Sequence, residues 1–302
     1  MSDVKLAVLG ECMVELQQTP QGLSQRFGGD TLNTALYYHR VCGGETAYVT
    51  GLGRDGFSDA MLLQWRQEGL DTSLVSRLDD KLPGLYLIET DALGERRFHY
   101  WRKDAAARYW LERPGAEAML ARLQQAELIY LSGISLAILT EASRERLFDF
   151  LAGFLGRVVF DNNYRPALWP DPAQAQACYT RLLKYTDMAL LTFEDEALLY
   201  GDERPEESIA RTLALGVGEL VLKMGAEPCL LVDSSGRRQV AAERVATVVD
   251  TTAAGDSFNG AYLAKRLHGA TMEAAARAGH RLAARVIQHR GAVIDPEFMP
   301  TF

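Results

Sequence analysis

Short, uniformly apolar runs recur along this chain, many of them next to Gly, Asp or Asn. They are too short for buried helices, and they lack the alternation of apolar and polar residues that marks a half-exposed strand. Such runs are typical of interior strands in a parallel sheet that is covered by helices on both faces. They occupy residues 6–9, 47–50, 128–131, 158–160, 188–191, 220–222 and 229–232.

Helix-length amphipathic segments lie between many of these runs. In residues 272–288, for example, Ala275, Leu282 and Val286 recur at helical spacing, and Thr271 is placed to cap the N-terminus. This alternation predicts an α/β fold with a mainly parallel central sheet between helical layers. With 302 residues, 48% of them apolar, the chain can fill the core of a single domain over residues 1–302.

One stretch breaks this alternation. Residues 85–90 and 96–102 are strand-like, and residues 91–94 between them are typical of a hairpin turn. The two-residue period of a strand places Tyr100 and Arg102 on one face of the hairpin. Tyr86 of segment 85–90 can join them across the strand pair. We predict a small β lid here. An edge hairpin with its own minor aromatic core is the alternative.

Composition argues against several classes of partner. The net charge is −8 with acids and bases interspersed, so we expect neither a nucleic-acid partner nor a membrane partner. The N-terminus lacks the apolar core of a signal peptide, and no apolar run approaches the ~20 residues of a membrane span. Four well-separated cysteines without metal-ligand spacing predict buried thiols in a reducing compartment. We therefore expect a cytoplasmic protein.

A run of small polar residues near the C-terminus carries the sharpest chemical signal. Residues 250–256 (Asp-Thr-Thr-Ala-Ala-Gly-Asp) precede an Ala-rich helix that we expect to begin near Ser257. The backbone N–H groups of residues 253–255 can approach a phosphate there, and the helix dipole favours its negative charge. An isolated Asp256 would be read as a helix-stabilising charge. Beside a phosphate loop, it can instead be the general base for an attacking hydroxyl.

Two signatures, more than 200 residues apart, resemble those of the PfkB (ribokinase-like) carbohydrate kinases. Residues 250–256 resemble the pattern Asp-Thr-x-Gly-Ala-Gly-Asp, except that Ala253 replaces the first glycine and must adopt the required backbone conformation. Residues 28–33 resemble the Gly-Gly-x-x-x-Asn turn of the sugar site. Residues 161–166 and 223–226 also match family segments. The resemblance therefore covers essentially the whole chain.

This resemblance implies a ribokinase-like three-layer α/β/α sandwich with a β lid formed mainly by segments around 11–30 and 82–104. It implies transfer of the ATP γ-phosphoryl to a sugar hydroxyl, with Asp256 as the catalytic base. The residues it assigns to ATP are Asn163, Tyr164, Arg165, Lys223, Met224, Gly225, Ala226, Ala253, Ala254, Gly255 and Asp256. The residues it assigns to the sugar are Gly29, Asp30, Thr31, Leu32, Asn33, Tyr86, Tyr100, Trp101, Arg102, Arg165 and Asp256.

The expected metal is Mg²⁺, because phosphoryl transfer depends on positioning and on neutralising the phosphate charge. The family's Asn-x-x-Glu element, which organises Mg²⁺ through water, appears here as residues 192–195 (Thr-Phe-Glu-Asp). Both key residue types differ, so a metal role through water falls on Asp195 or Glu194. The resemblance also implies a monovalent cation, K⁺, near the anion loop and a homodimer that pairs through the exposed lid.

The lid predicts the acceptor. The carboxylate of an acidic sugar needs cationic and hydroxyl donors, which Tyr86, Tyr100 and the two arginines Arg102 and Arg165 would supply. Arg165 could instead serve the phosphates, and the sequence leaves both roles open. Segments 83–90, 98–102, 131–139 and 160–166 resemble those of family members that phosphorylate the 6-hydroxyl of 2-keto-3-deoxygluconate. Fructose, ribose or a related sugar is the alternative acceptor.

Two other functions compete. Gly51, Gly53 and Gly56 form a dinucleotide-binding fingerprint with Asp71 about 20 residues further on, as in an NAD-dependent dehydrogenase. This fingerprint follows a later strand rather than the first, so the dehydrogenase is the less favoured reading. The other alternative is a non-catalytic sensor of nucleotide or sugar. The intact loop and Asp256 argue against it.

Overall fold

The computed structural model describes residues 5–19, 22–90 and 96–302. Within these ranges the strands form two separate sheets. The strands are β1 (Leu6–Leu9), β2 (Met13–Thr19), β3 (Gly22–Gly28), β4 (Thr46–Leu52), β5 (Val75–Arg77), β6 (Leu85–Thr90), β7 (Arg96–Trp101), β8 (Leu128–Ser132), β9 (Arg157–Asp161), β10 (Met188–Thr192), β11 (Glu219–Met224), β12 (Glu227–Asp233) and β13 (Gly236–Val240).

Helices follow most strands of the large sheet and cover both of its faces. They are α1 (Asp30–Cys42), α2 (Gly56–Gln67), α3 (Ala116–Leu123), α4 (Gly133–Ile138), α5 (Glu141–Ala152), α6 (Pro172–Leu183), α7 (Phe193–Tyr200), α8 (Pro205–Ala214), α9 (Ala254–Leu267) and α10 (Met272–Val286). Thr271 caps α10 as expected and accepts a hydrogen bond from the Ala274 amide. Helix α9 begins three residues earlier than predicted, so the second half of the small-residue run forms its first turn.

The large sheet has the strand order β13-β12-β11-β10-β9-β8-β1-β4-β5. Its pairs from β5 to β11 are all parallel, as the uniformly apolar runs predicted. The run at 229–232 is the exception, because β12 pairs antiparallel with β11. Gly225 adopts φ = 61° between these two strands and turns the chain straight back, which leaves no room for a crossover helix.

Side chains of the central strands alternate between two apolar cores. Ala7 and Leu9 of β1 belong to one core, whereas Leu6 and Val8 belong to the other. Both faces of each interior strand are therefore buried, which explains why these strands are apolar at every position. The predicted three-layer α/β/α sandwich is confirmed.

The small sheet has the order β3-β2-β6-β7, and its described residues are 13–19, 22–28, 85–90 and 96–101. Its base contacts one core of the large domain through Val14, which is 1% exposed. Tyr86 of β6 pairs directly with Tyr100 of β7, and their ring centroids are 5.7 Å apart. The hairpin turn predicted at 91–94 lies outside the described residues.

The structure also bears on two compositional predictions. No helix in the described part of the chain is both long enough and apolar enough to cross a bilayer. All the cysteines are free thiols: Cys12, Cys178 and Cys229 are buried as predicted, while Cys42 is only half-buried.

Candidate active site

The first turn of α9 presents unpaired backbone donors. Ala253 precedes the helix in the left-handed region, at φ = 60° and ψ = 18°, where a Cβ costs about 1–2 kcal/mol. The amide of Ala254 already donates to the carbonyl of Thr251 at 3.2 Å. Within the described residues, the amides of Ala253, Gly255 and Asp256 have no partner. The set of unpaired backbone amides therefore differs from the predicted one: it includes the amide of Asp256 and lacks that of Ala254.

Asp256 is oriented by helix α1. Asn33 Nδ2 donates to Asp256 Oδ2 at 2.8 Å, and Thr34 Oγ1 donates to the Asp256 carbonyl at 3.3 Å. Gly260 allows this approach of α9 to α1, since a Cβ there would lie 2.9 Å from the Thr34 carbonyl. Asp256 Oδ1 accepts no hydrogen bond from the described residues. One carboxylate oxygen is thus fixed and the other is available to a ligand.

The surroundings of Asp256 make its carboxylate more basic. Burial raises its pKa to about 8, and the negative charges of Asp30 and Asp161 act in the same direction. The hydrogen bond from Asn33 and the charge of Lys223 oppose this shift. A carboxylate with a pKa near neutral pH is suited to accept a proton from a hydroxyl.

A buried polar cluster lies beneath the loop. Lys223 Nζ lies 3.4 Å from Asp161 Oδ1 and donates to Asn259 Oδ1 at 3.1 Å. Asn259 Nδ2 in turn donates to Asp161 Oδ2 at 2.9 Å. A Cβ built on Gly255 would lie 3.5 Å from Lys223 Nζ, so the ammonium group is next to the unpaired amides. A fixed positive charge therefore supports the candidate anion site from below.

The turn after β9 joins the predicted metal residue to predicted nucleotide residues. Asp195 Oδ2 accepts the Tyr164 amide at 3.2 Å, and Asp195 Oδ1 lies 3.4 Å from Arg165 Nη1. Burial raises the pKa of Asp195 to about 6. Arg165 therefore pairs with Asp195, the predicted metal residue. The Tyr164 ring is buried in the core, so only its backbone is available at the site.

The β11–β12 turn carries the other predicted nucleotide residues. Lys223 and Met224 end β11, while Gly225 and Ala226 form the turn. A Cβ on Gly225 would lie 3.4 Å from Glu194 Oε1, which brings this turn close to the residue 192–195 element. The predicted nucleotide segments are therefore neighbours in the fold.

Only part of the predicted sugar turn faces the site. Asn163 Nδ2 donates to Asp30 Oδ2 at 2.7 Å, and Asn33 contacts Asp256. The structure corrects two other predictions: Thr31 Oγ1 is hydrogen-bonded to Tyr48 in the interior, and Leu32 packs in the core. Helical geometry explains the difference, because consecutive residues of α1 cannot all face one side.

On the small sheet, Tyr86 and Tyr100 share one face with Glu15, which accepts a hydrogen bond from the Tyr86 hydroxyl. Arg102 follows β7, and its Nη2 pairs with the buried carboxylate of Glu11. Trp101 is 60% exposed, and strand alternation places it on the opposite face. The prediction that Trp101 lines the sugar site is therefore corrected.

The dinucleotide fingerprint has a structural explanation. Asp55 caps helix α2 and accepts the amides of Phe57 and Ser58, both at 3.0 Å. The donors that a pyrophosphate would need are thus already used. Side chains at Gly51 and Gly53 would lie 2.4 Å from the Ala106 carbonyl and 2.3 Å from the Lys81 carbonyl. These glycines serve packing and offer no nucleotide site.

Comparison with known families identifies this arrangement. The model of the pfkB family carbohydrate kinases matches residues 3–298. The chain belongs to this family. The PfkB signatures at residues 28–33 and 250–256 are thereby confirmed as family features, while the individual role of each site residue stays a prediction.

Individual PfkB relatives cover the chain almost completely. A 2-dehydro-3-deoxygluconokinase of Dickeya dadantii (strain 3937) is 50% identical over 99% of this chain and 100% of its own. One of Escherichia coli (strain K12) is 48% identical over 98% of this chain and 99% of its own. The structure of a fructokinase with bound ATP from Xylella fastidiosa shares the fold, with a TM-score of 0.84, 22% identity, and coverage of 99% and 96%.

Three residues of this PfkB site were not predicted. Asp161 and Asn259 hold Lys223, and Glu11 holds Arg102. Asp161 begins the family segment 161–166, and Asn259 lies three residues beyond the 250–256 signature, so their position in the sequence was a signal. Glu11 had a physical signal, since a buried charged residue two positions after a buried strand needs a partner.

Proposed function

We propose that this chain transfers the γ-phosphoryl of ATP to the terminal hydroxyl of 2-dehydro-3-deoxygluconate, also called 2-keto-3-deoxygluconate. The observation that carries this acceptor is Arg102, whose side chain is only 10% exposed and whose Nε has no partner among the described residues. A buried, unused guanidinium donor is matched to a carboxylate. The relatives named 2-dehydro-3-deoxygluconokinase, which match almost the full length of this chain, support the same acceptor.

The chemistry follows from the two sides of the site. The sugar is held by Asp30 and Asn33, and its terminal hydroxyl donates to the free Oδ1 of Asp256. Asp256 takes the proton as the hydroxyl oxygen attacks the γ-phosphorus and ADP leaves. The unpaired amides of Ala253 and Gly255, with Lys223 below them, stabilise the charge on the transferred group. The second oxygen of Asp256 remains bonded to Asn33, which keeps the base in place.

Buried acceptors also support a hydroxyl-rich ligand. Asn33 is 4% exposed, and its Oδ1 has no partner in the described residues. Glu11 Oε1 is likewise buried and has no hydrogen-bond partner among the described residues. A buried acceptor without a hydrogen bond costs about 1–3 kcal/mol, which a sugar hydroxyl would remove on binding.

Mg²⁺ fits this site as a partner of the nucleotide. The described residues contain no group of three or more His, Cys, Asp or Glu side chains placed to hold a metal ion. Asp195, beside Arg165, offers one carboxylate on the nucleotide side. Mg²⁺ commonly binds through one or two carboxylates together with substrate phosphates and water. Its chemistry here would be to neutralise phosphate charge, with Asp195 as the ligand through water.

The small sheet is the proposed lid. Its Tyr86, Tyr100 and Arg102 would cover the sugar and exclude water from the transferred phosphoryl. Its other face exposes Leu23 and Trp101, at 62% and 60%, which supports pairing with a second copy of the chain. The homodimer, like the K⁺ near the anion loop, stays a prediction.

An acceptor panel tests the proposed substrate. ADP release would be measured with 2-keto-3-deoxygluconate, gluconate, fructose and ribose at equal concentrations. We expect kcat/KM for the keto acid to exceed that for either neutral sugar by at least about 10²-fold, because a neutral sugar leaves a buried arginine donor unpaired. A preference for fructose or ribose would overturn the acceptor while leaving the kinase activity intact.

The pH dependence of the reaction tests the environment of Asp256. Because the active base is ionised and its pKa is about 8, we expect kcat/KM to rise with pH and level off above pH 8. Asp30→Asn removes a like charge, so it should move the midpoint to lower pH. Asp79→Asn, at a position 82% exposed, is the control and should leave the midpoint unchanged. An unshifted midpoint in Asp30→Asn would contradict the assignment.

A further inference from the structure

Glu11 and Arg102 connect the two sheets at the base of the small one. Glu11 lies just beyond β1 of the large sheet, and Arg102 lies just beyond β7 of the small sheet. Their side chains pair through Glu11 Oε2 and Arg102 Nη2, and they are 1% and 10% exposed. The contact is therefore a buried ion pair that spans the junction between the large domain and the proposed lid.

The backbone leaves space for this pair at Gly84. A Cβ on Gly84 would lie 2.7 Å from Glu11 Oε1 and 3.2 Å from Arg102 Cβ. The carbonyl of Gly84 also accepts the Val14 amide at 2.8 Å, which fixes β2 at the same point. Any larger residue would push against the carboxylate. The junction is thus closely packed around Glu11, and neither side chain has room to adopt many rotamers.

Stability alone does not account for the pair. Each partner keeps one unpaired atom, Glu11 Oε1 and Arg102 Nε, among the described residues. Burial raises the pKa of Glu11, so the fold works against its charge even though Arg102 opposes the shift. Well-packed apolar residues of similar volume often stabilise such a junction as well or better. A role at the proposed sugar site explains a charged pair at this junction better than stability does.

We propose that Glu11 is a positioning residue for the acceptor sugar. It holds the guanidinium of Arg102 from one side before the sugar binds, so that the unpaired Nε–H is directed to the sugar carboxylate. A long arginine side chain loses up to ~2 kcal/mol of rotamer entropy when it is fixed. Because Glu11 fixes the Arg102 side chain in the free enzyme, this entropy is not lost again when the sugar binds. Loss of Glu11 should therefore raise KM for the sugar. This inference rests on the proposed acceptor.

Glu11→Gln tests the inference, because it removes the charge and keeps the shape. We expect KM for 2-keto-3-deoxygluconate to rise about tenfold, while kcat and KM for ATP change less than about twofold. In an Arg102→Met background, Glu11→Gln should have no further effect on KM, since Glu11 acts through Arg102. Glu89→Gln is the matched control: Glu89 is a glutamate of the small sheet, 42% exposed and paired with His99. It should behave as wild type.

A second variant covers the case in which Glu11→Gln does not fold. Gly84→Ala keeps both charges but forces the pair apart, so it should raise KM for the sugar in the wild-type background and not with Arg102→Met. If Glu11→Gln or Gly84→Ala raised KM for the sugar as much in the Arg102→Met background as in wild type, the role of Glu11 would be overturned. A fall in kcat and a rise in KM for ATP as large as the rise in KM for the sugar would overturn it as well. A wild-type enzyme that ignores 2-keto-3-deoxygluconate would overturn the acceptor, and this inference with it.

Discussion

Asp256→Asn should fold normally and lose at least about 10²- to 10⁴-fold in kcat, the range usual for a missing general base. The amide keeps the volume of the side chain and can still contact Asn33, so the geometry of the first turn of α9 is preserved. ATP binding should remain close to wild type, since the loop amides and Lys223 are unchanged. Single-turnover kinetics and an ATP titration would separate the two effects.

The same variant makes a prediction about stability. An aspartate has an ordinary pKa of about 3.9, and the fold raises that of Asp256 to about 8. Stability from this group is present below pH 4 and is lost as pH rises towards 8. Asp256→Asn removes this loss, so its melting temperature should match or exceed that of wild type at pH 8, with a smaller difference at pH 5. Near-normal turnover of Asp256→Asn would contradict the assignment. So would a melting temperature that, compared with wild type, is lower at pH 8 than at pH 5.

Lys223→Met should damage both folding and catalysis. The substitution leaves the buried carboxylate of Asp161 without its cationic partner, and breaking a buried ion pair from one side costs about 3–5 kcal/mol of unfolding free energy. It also removes the positive charge that lies next to Gly255. We expect kcat to fall by about 10²- to 10³-fold, as for the loss of one stabilising donor in an anion site. Urea unfolding and steady-state kinetics would measure the two losses.

A double variant separates these losses. Asp161→Asn with Lys223→Met removes both charges, so most of the unfolding free energy should return while kcat stays low. Lys81→Met is the control, since Lys81 also pairs with an aspartate, Asp104, which is 69% exposed; it should change little. Recovery of kcat in the double variant would show that Lys223 has only a structural role.

Periodicity and signatures predicted the framework of this molecule well, for physical reasons. Interior strands must be apolar on both faces, so the runs at 6–9 and 128–131 identify neighbouring strands of one sheet. Helix α10 was predicted because its cap and its apolar stripe are local features. The direction of β12 depends instead on a turn at Gly225, which neither apolar content nor length reveals.

The site was predicted less completely than the fold. Asp256 and Asn33 are more than 200 residues apart in the chain, and family signatures marked both before the structure joined them. Orientation was harder, because motif matching gives every residue of a segment equal weight. Thr31, Leu32 and Trp101 were assigned to the sugar for that reason, although helix and strand geometry turn them away. Glu11 was missed because its role depends on a partner 91 residues further along the chain.

Phosphorus NMR of the product tests the central claim most directly. Enzyme, Mg²⁺, ATP and 2-keto-3-deoxygluconate would be incubated, and the proton-coupled ³¹P spectrum recorded. Transfer to the terminal hydroxyl attaches phosphate to a CH₂ group, so we predict a new phosphomonoester signal split into a triplet, formed in equal amount with ADP. A doublet, from phosphate on a secondary carbon, would contradict the proposed position. Inorganic phosphate as the only new signal besides ADP would contradict the kinase reaction on this sugar.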